Sequence, residues 1–245
     1  YWIKLRTGHR PAHIQTSRLT LHSKIVLTCS ALLIVGGMIA MVVLEKYSVR
    51  PTLPQEDIDF TWYDGLFHSV SARTAGFNTV DIQSMSPAGK AVLMILMVIG
   101  GSPGSTAGGI KTVTFVMLFL VVWVTLRKRT EVEIFGRAIR LVIVSRAIAL
   151  AVMYVLTIVV MTIALTITER HSGFTLQDVA FEATSALGTV GLSTGITAKL
   201  STAGKLIITL AMLIGRLGPL TLIASLTFNL RPVRYNYPEE PVMVG

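Results

Sequence analysis

The sequence has 245 residues, of which 52% are hydrophobic and only 14% are charged, and its formal net charge is +9. A soluble domain carries about 25% charged residues, so this composition excludes an ordinary soluble globular protein. The basic residues are clustered between long apolar runs, which membrane topology explains better than binding to nucleic acid. The single cysteine, Cys29, excludes an intrachain disulfide.

The first half of the chain predicts a unit that enters and leaves the membrane on the same side. Residues 1–24 are basic and contain no acidic residue, so we interpret them as a cytoplasmic connecting segment. Residues 25–129 then form a pore repeat. Its parts, in order, are a span at 25–44, a non-basic outer loop, a short amphipathic helix at 61–73, a turn at 74–78 and a long apolar run at 88–126 that ends in a basic cluster.

Residues 130–230 repeat this order, and residues 231–245 follow as a cytoplasmic tail. Both units begin and end at basic clusters, so the repeats are parallel and related by an axis along the membrane normal. The predicted fold is an all-α integral membrane protein with two parallel helix–pore-helix–helix repeats. Two such repeats make half of a pseudo-fourfold pore, which a second chain or further sequence must complete. The second repeat has a span at 141–166, a short helix at 175–187, a turn at 189–193 and a last span at 206–228.

Two short Thr-x-Gly turns follow the short helices and are the candidate ion-binding sites. They are Thr74-Ala75-Gly76-Phe77 and Thr189-Val190-Gly191-Leu192. A dehydrated cation needs fixed oxygens, and glycine allows backbone carbonyls to approach it closely. We therefore expect re-entrant selectivity-filter turns, with the permeating cation bound at Gly76 and Gly191. An ordinary helix C-cap explains one such turn, but less well two turns that are each followed by Ser-x-Ala-Gly-Lys.

A glycine-rich interruption divides the apolar run at 88–126. A helix of that length would be about 58 Å long, twice the thickness of the hydrocarbon layer, and five glycines and a proline in its middle do not continue a helix. Irregular backbone at membrane depth is tolerated only inside protein or against water, so we expect an intramembrane gate at the pore axis. The predicted gate residues are Gly100, Gly101, Ser102, Pro103, Gly104, Ser105, Thr106, Ala107, Gly108 and Gly109.

Three other interpretations of this segment are open. A phosphate loop needs an adjacent Gly-Lys pair, which Ile110 interrupts. An intramembrane serine protease needs a histidine near Ser102 or Ser105, whereas the histidines lie in predicted loops or in the first short helix. A kinked helix packed against its neighbours needs no function at all.

Arg216 is the basic residue that the sequence places inside the last span. An arginine at the centre of a span costs about 2.5–3.5 kcal/mol on insertion scales and needs partners. The predicted spans contain no acidic residue, so its donors are best met by carbonyls of the interrupted segment or by pore water. We expect Arg216 to clamp the gate closed and to repel cations, with a purely structural tie as the alternative. Lys111, just inside the gate, is a candidate for a similar electrostatic role.

These turns, the interrupted segment and Arg216 together resemble the Trk/Ktr/HKT superfamily of potassium transporters, with the closest likeness to the membrane subunit of bacterial Ktr systems. The resemblance implies that the chain supplies the third and fourth of four pore units and does not conduct alone. It also implies a multi-pass protein of the bacterial plasma membrane, a homodimer, and a cytoplasmic ring of nucleotide-binding regulatory subunits.

The sequence therefore predicts a channel-like K⁺ translocator, gated by an intramembrane loop, that is not an enzyme and needs no cofactor. The choice between K⁺ and Na⁺ stays open, because one glycine per turn is compatible with either. A secondary transporter with a midplane site on the interrupted helix is the main alternative, although it would need a coupling carboxylate in the membrane. A non-transporting membrane scaffold is the third interpretation.

Overall fold

Helices make up almost all of the described chain. The structure is a computed structural model, and it describes residues 20–48, 60–127, 133–135 and 137–218. Within that part the fold is helical, as predicted, apart from one pair of antiparallel strands of two residues each between the two halves. In chain order the elements are α1 (Leu21–Tyr47), α2 (Trp62–Ser71), α3 (Pro87–Val98), α4 (Thr112–Leu126), β1 (Glu133–Ile134), β2 (Arg137–Ala138), α5 (Leu141–Thr168), α6 (Leu176–Gly188) and α7 (Thr202–Leu217).

Two of the helices are long and apolar enough to cross a membrane. They are Leu21–Tyr47, with a mean hydropathy of 2.5, and Val142–Thr168, with a mean hydropathy of 2.7. Both expose large apolar side chains such as Leu32 and Ile167, which suits contact with lipid. The apolar helices α3 and α4 have 12 and 15 residues, and together they match the 27 residues of α1. Together, α3 and α4 therefore have the length of one membrane span, divided into two helices.

The elements of the first half recur in the second half in the same order. Each half contains, in order, a long helix, a short helix, a turn, one turn of 3₁₀ helix and a further helix. We call this last helix, α3 or α7, the inner helix of its half. The 3₁₀ turns, Ile82–Ser84 and Thr197–Lys199, lie at matching places before α3 and α7. α1 packs against α2 and α3, while α5 packs against α6 and α7.

A carboxylate at the end of each long helix holds the start of the inner helix of the same half. The carboxylate of Glu45 accepts hydrogen bonds from the backbone N–H of Ser86 at 3.0 Å and from its hydroxyl at 2.8 Å. Ser86 in turn caps α3. A Cβ on Gly89 would collide with the same carboxylate oxygen, so glycine is needed for this approach. We call this arrangement the carboxylate clasp.

The second half has the same clasp. The carboxylate of Glu169 accepts from the N–H of Ser201 at 3.0 Å and from its hydroxyl at 2.5 Å, and Ser201 caps α7. A Cβ on Gly204 would collide with that carboxylate. The clasp thus explains why both halves contain a Ser-x-Ala-Gly-Lys segment. Its serine donates hydrogen bonds to the glutamate, and its glycine leaves room for the carboxylate.

The two halves share a core and a few polar contacts. α3 packs on α6 and α4 on α5, and the fully buried Met41 and Phe181 belong to one apolar cluster that spans both halves. Lys90 at the start of α3 lies 3.7 Å from the Asp178 carboxylate in α6. These contacts hold the two halves together and bring the turns that follow α2 and α6 to neighbouring positions.

Parts of the predicted organisation fall outside the described residues. They include residues 1–19 of the connecting segment, part of the first outer loop, the end of the last predicted span and the tail at 231–245. Where the last span is described, it differs from an uninterrupted helix over 206–228. α7 ends at Leu217, and Gly218 follows it with a φ of 83° and a ψ of 132°, outside the helical region.

Candidate functional site

A serine near the end of each short helix holds the N–H groups of the turn that follows it. In the first half, the carbonyl of Ser71 accepts from the N–H groups of Ala75 and Gly76 at 3.0 and 3.2 Å, and its hydroxyl accepts from the N–H of Phe77 at 2.8 Å. In the second half, the carbonyl of Ser185 accepts from Val190 at 3.0 Å. The turn donors are therefore directed back toward the helices.

The carbonyl oxygens of these turns have no such partners. Within the described chain, none of the carbonyls of residues 74–76 or 189–191 accepts a hydrogen bond. The hydroxyl of Ser185 accepts from the N–H of Gly191 at 3.2 Å. The N–H groups of residues 75–77 and 189–191 are thus bound by the helices before them, while the carbonyl oxygens of residues 74–76 and 189–191 accept nothing from the described residues and are left for another ligand.

The backbone of both turns is left-handed at two positions. The φ angles are 74° at Thr74 and 79° at Gly76 in the first turn, and 53° at Thr189 and 96° at Gly191 in the second. Only three non-glycine residues in the described part of the chain have a positive φ, and two of them are these threonines. A β-branched residue in this region costs about 1–3 kcal/mol, and such strain clusters at functional sites.

The two turns lie against each other. A Cβ built on Gly76 would collide with the carbonyl oxygen of Val190, and one built on Gly191 would lie 3.8 Å from the Cα of Gly76. The side chains at the ends of the turns differ, since Leu192 is buried in the core whereas Phe77 is exposed. The structure thus brings together the glycines that the sequence singled out.

A buried acid behind the second turn fixes the chain that leaves it. The carboxylate of Glu182 in α6 accepts from the hydroxyls of Ser193 and Thr197 at 2.5 and 2.6 Å, and from the N–H of Thr194 at 3.0 Å. An open cleft of about 450 Å³ runs beside this segment and reaches from Glu182 past the turn to Arg216.

The glycine-rich interruption forms a loop whose ends are joined. The N–H of Gly100 donates to the carbonyl of Ile110 at 2.9 Å, the N–H of Ile110 to Val98 at 2.8 Å, and the N–H of Thr112 to Gly101 at 3.1 Å. The chain therefore leaves α3, makes an excursion over residues 100–109 and returns to start α4 close to where it left. We call residues 100–109 the intramembrane loop, after the location that the sequence analysis predicted for them.

The tip of the intramembrane loop is held by two cationic side chains. Arg216 Nη1 donates to the carbonyl of Thr106 at 2.5 Å, and Lys111 Nζ donates to the carbonyls of Ala107 and Ser105 at 2.6 and 3.2 Å. Residues 103–106 of the tip are exposed. The carbonyls of three successive loop residues thus accept hydrogen bonds from positively charged side chains. Arg216 contacts the glycine-rich segment, as the sequence analysis predicted.

The surroundings of Arg216 differ from the expected buried, mid-helix position. It lies in the last turn of α7 and is exposed in this chain. The close helix approach predicted around it is nevertheless present, because a Cβ on Gly215 would collide with the Leu187 carbonyl of α6. Gly218 ends the helix two residues later, which places the guanidinium over the loop instead of inside a continuous span.

Each end of the intramembrane loop also contacts a residue where a short helix passes into its turn. We call these two residues, Arg73 and Thr189, the corners of the turns. Arg73, which lies between α2 and the first turn, donates from Nη2 to the carbonyl of Gly100 at 3.1 Å. The N–H of Gly108 donates to Thr189 Oγ1 at 2.9 Å. The structure therefore connects the two segments that the sequence treated separately.

Sequence reasoning missed several residues of this site. Ser71, Ser185 and Glu182 were treated only as parts of short helices, and Arg73 only as a residue before a turn. A signal was available for the serines, because both lie four residues after a phenylalanine in aligned helices. Arg73 and Glu182 have no counterpart at the aligned position of the other half, so the duplication did not reveal them.

Comparison with known proteins gives a consistent family. The family model described as TrkH, cation transport protein, matches residues 13–231. The potassium/sodium uptake protein NtpJ of Enterococcus hirae is 39% identical over 249 residues, which cover 100% of this chain and 53% of that protein. The Ktr system potassium uptake protein B of Vibrio alginolyticus is 37% identical over 244 residues, which cover 100% of this chain and 51% of that protein.

A solved structure agrees at the level of the fold. The potassium transporter TrkH from Vibrio parahaemolyticus superimposes with a TM-score of 0.61 at 22% sequence identity, over 84% of this chain and 44% of that one. The chain spans about half the length of the curated relatives it matches. From the extent of the family match, the chain belongs to the TrkH family of cation transport proteins.

Proposed function

We propose that the full-length protein carries K⁺ across the bacterial plasma membrane through a channel-like path, with Na⁺ as the competing ion. The observation that carries this proposal is the pair of adjacent turns. Their N–H groups at 75–77 and 189–191 are bound by the preceding helices, and their carbonyls at 74–76 and 189–191 accept no hydrogen bond from the described residues. Carbonyl oxygens in such positions replace the hydration shell of a cation. Phe77 and Leu192 end the two filter turns, and K⁺ binds beside Gly76 and Gly191.

The strained threonines support this role for the turns. Thr74 and Thr189 hold a backbone that glycine would adopt without cost, and packing must offset that cost. A chain that alternates between left-handed and ordinary conformations directs successive carbonyls toward one side. A plain helix C-cap needs only one left-handed residue, usually glycine, and does not explain two.

The intramembrane loop is the proposed gate. Its tip carbonyls bind Arg216 and Lys111, whose positive charges would repel a cation while they hold the loop. Because the loop ends are joined by hydrogen bonds, it can change position without unwinding α3 or α4. All residues from Gly100 to Gly109 belong to this element.

The transporting unit requires more than this chain. Its two repeats, residues 25–129 and 130–230, supply two of four pore units, and the upstream half supplies the other two. We further propose a multi-pass membrane protein that forms a homodimer and binds a cytoplasmic ring of nucleotide-binding regulatory subunits. The names of the relatives, a Ktr system potassium uptake protein and a potassium/sodium uptake protein, support K⁺ as the main ion.

The test is potassium uptake by the full-length protein with substitutions in the filter and gate. Gly191→Ser should lower the preference for K⁺ over Na⁺, because serine is strained at a φ of 96°. Deletion of residues 101–108 should raise flux, because it removes the gate and leaves the filter. Unchanged selectivity in the first variant, together with unchanged flux in the second, would contradict the proposal.

One observation favours a coupled secondary transporter as the second candidate. Glu182 is a buried carboxylate beside the second turn, which the predicted spans did not offer. Such a transporter needs an acid that exchanges a proton or binds a coupling cation. The hydrogen bonds that Ser193, Thr194 and Thr197 donate to Glu182 instead support a structural role. Uptake that depends strictly on a proton or sodium gradient, and loses this dependence in Glu182→Gln, would favour the second candidate.

A further inference from the structure

The intramembrane loop is attached to both filter corners, at opposite ends of the loop. Arg73 follows α2 and donates to the carbonyl of Gly100, at the start of the loop. Thr189 follows α6 and accepts from the N–H of Gly108, near the end of the loop. These contacts join positions 27 and 81 residues apart in the chain. Neither contact is needed to hold the loop tip, which Arg216 and Lys111 bind.

Gly108 packs so closely against Thr189 that no side chain fits at position 108. A Cβ on Gly108 would lie 2.6 Å from Thr189 Oγ1 and 2.8 Å from the carbonyl oxygen of Gly188. Glycine at this position therefore lets the loop lie directly on the end of α6. Thr189 also has the left-handed backbone of the second filter turn, so its side-chain contact and its filter conformation involve the same residue.

The contact with Gly100 is made by the guanidinium of Arg73, which is partly buried. Its Nη2 reaches Gly100, and its Nη1 is buried without a hydrogen-bond partner among the described residues. Gly100 is itself packed against the carbonyl of Gly108. The two attached loop residues thus touch each other, and one arginine and one threonine hold them from the two filter corners.

We propose that Arg73 and Thr189 are positioning residues that couple the gate to the filter. While the loop is closed, its ends hold the corners of both filter turns in place. When the loop leaves, the hydroxyl of Thr189 loses its donor and Arg73 loses its acceptor, so the filter turns relax at the same time. Ion preference and gate position therefore change together. This proposal rests on the proposed function, in which the loop is the gate and the turns are the filter.

The experiment measures gate position and ion preference in the same full-length protein. The reporter variant Ser105→Cys, in a background without other cysteines, shows the exposure of the loop tip to a water-soluble thiol reagent in liposomes. Thr189→Val removes the hydroxyl but keeps the β-branched shape, and Arg73→Met removes the donors. Each should speed modification of the reporter thiol about tenfold, since one hydrogen bond contributes roughly that factor, and should lower the K⁺/Na⁺ preference.

Two conservative variants and one reference variant complete the design. Thr189→Ser and Arg73→Lys keep the hydroxyl and a cationic donor, and should restore slow modification of the reporter thiol. Arg216→Gln removes one of the two cationic contacts at the loop tip without changing either corner, and shows that the assay detects loosening of the loop.

The outcomes separate the coupling from the proposed function. If Arg216→Gln speeds modification while Thr189→Val and Arg73→Met do not, the coupling is overturned and the gate stands. A change in ion preference without a change in modification rate overturns it as well, because the filter would then respond alone. If modification is unaffected by all three variants and loop deletion leaves flux unchanged, the gate itself is wrong.

Discussion

At the scale of single residues, Gly76 is the position where an added methyl group would contact the other turn of the proposed filter directly. Its Cβ would meet the carbonyl oxygen of Val190 in the other turn, and its φ is 79°. We predict that Gly76→Ala lowers the K⁺/Na⁺ preference of the full-length protein severalfold, because it displaces that oxygen and strains the turn. Competitive uptake of the two ions by proteoliposomes measures this.

Gly173 provides the matched control for that prediction. Its φ of 70° imposes the same backbone strain on alanine, but nothing lies within 4 Å of the added Cβ among the described residues. Gly173→Ala should therefore keep the ion preference of the parent protein. An equal loss of preference in both variants would point to general strain and not to a filter at Gly76.

Arg216 gives the second prediction at this scale. Its guanidinium donates to the carbonyl of Thr106, and a hydrogen bond from a charged group contributes about 1.5–3 kcal/mol. Arg216→Gln should thus raise basal K⁺ flux about tenfold or more. Arg127→Gln is the control, because Arg127 lies over the Trp123 ring, 4.5 Å from its centroid, and away from the loop. A flux in Arg216→Gln no higher than in the control would contradict the clamp.

The sequence predicted the glycines of this site and the contact of Arg216 with the interrupted segment, but not the serines and the arginine that hold the turns. Glycine, proline and an intramembrane arginine have few roles, so their pattern is informative. Serines such as Ser71 and Ser185 are common in helices, and only the fold shows that their hydroxyls and carbonyls bind the turns. Arg73 was missed because nothing in the linear order relates it to Gly100, which lies 27 positions away.

At the scale of elements, the carboxylate clasp joins the C-terminal end of each long helix to the start of the inner helix in the same half. Alanine at Gly89 or Gly204 would push the Cβ into the glutamate, and overpacking of this kind typically costs about 1–3 kcal/mol. We predict that either variant lowers the thermal unfolding midpoint of the detergent-solubilised full-length protein. The control is Gly36→Ala, since no described atom lies within 4 Å of a Cβ there. Equal midpoints in the clasp variants and the parent would remove the clasp as a source of stability.

The clasp at Glu169 also gives a pH dependence. The hydrogen bond from the Ser201 hydroxyl lowers the pKa of Glu169, with Ser172 and the Ser201 N–H acting in the same direction. Because the pKa is lower in the folded state, the ionised clasp stabilises the fold above the usual glutamate pKa of about 4.3. This stabilisation is lost as the pH falls through the folded-state pKa.

Glu169→Gln should therefore lower the unfolding midpoint at pH 7, and its difference from the parent protein should shrink as the pH is lowered below about 4. Thermal melts across this range measure the effect. Glu133→Gln, at an exposed position of the hairpin, is the control and should track the parent protein throughout. A difference that stays constant with pH would mean that the charge of Glu169 contributes nothing to the clasp.

Helix positions were predictable because the apolar runs are long and their ends carry capping serines, threonines and glycines. α3, α4 and the short helices α2 and α6 lie within a few residues of where the sequence places them. α7 was not predictable in the same way, because the apolar run continues beyond Gly218 although the helix ends at Leu217. Hydropathy does not detect a helix end inside an apolar run.

At the scale of the whole molecule, the exposed surface of the chain points to missing neighbours. The loop tip at 103–106, Phe77 and Arg216 are all exposed here. If they lie at membrane depth, as the proposed function requires, the irregular backbone and the guanidinium need protein or water around them. In the proposed function, the upstream half of the full-length protein supplies this cover. The sequence predicted the repeated order of elements, but it contained no signal for how closely the two Thr-x-Gly turns approach each other.

The location of a permeant ion in the full-length protein tests the proposed function most directly. A density map, or an anomalous difference map, recorded with Rb⁺ in place of K⁺ should show a peak beside Gly76 and Gly191, within reach of the carbonyls of both turns. The peak should disappear when Rb⁺ is replaced by a large organic cation. Bound Rb⁺ elsewhere in the membrane region, with none between the two turns, would contradict the filter and the permeation path built on it.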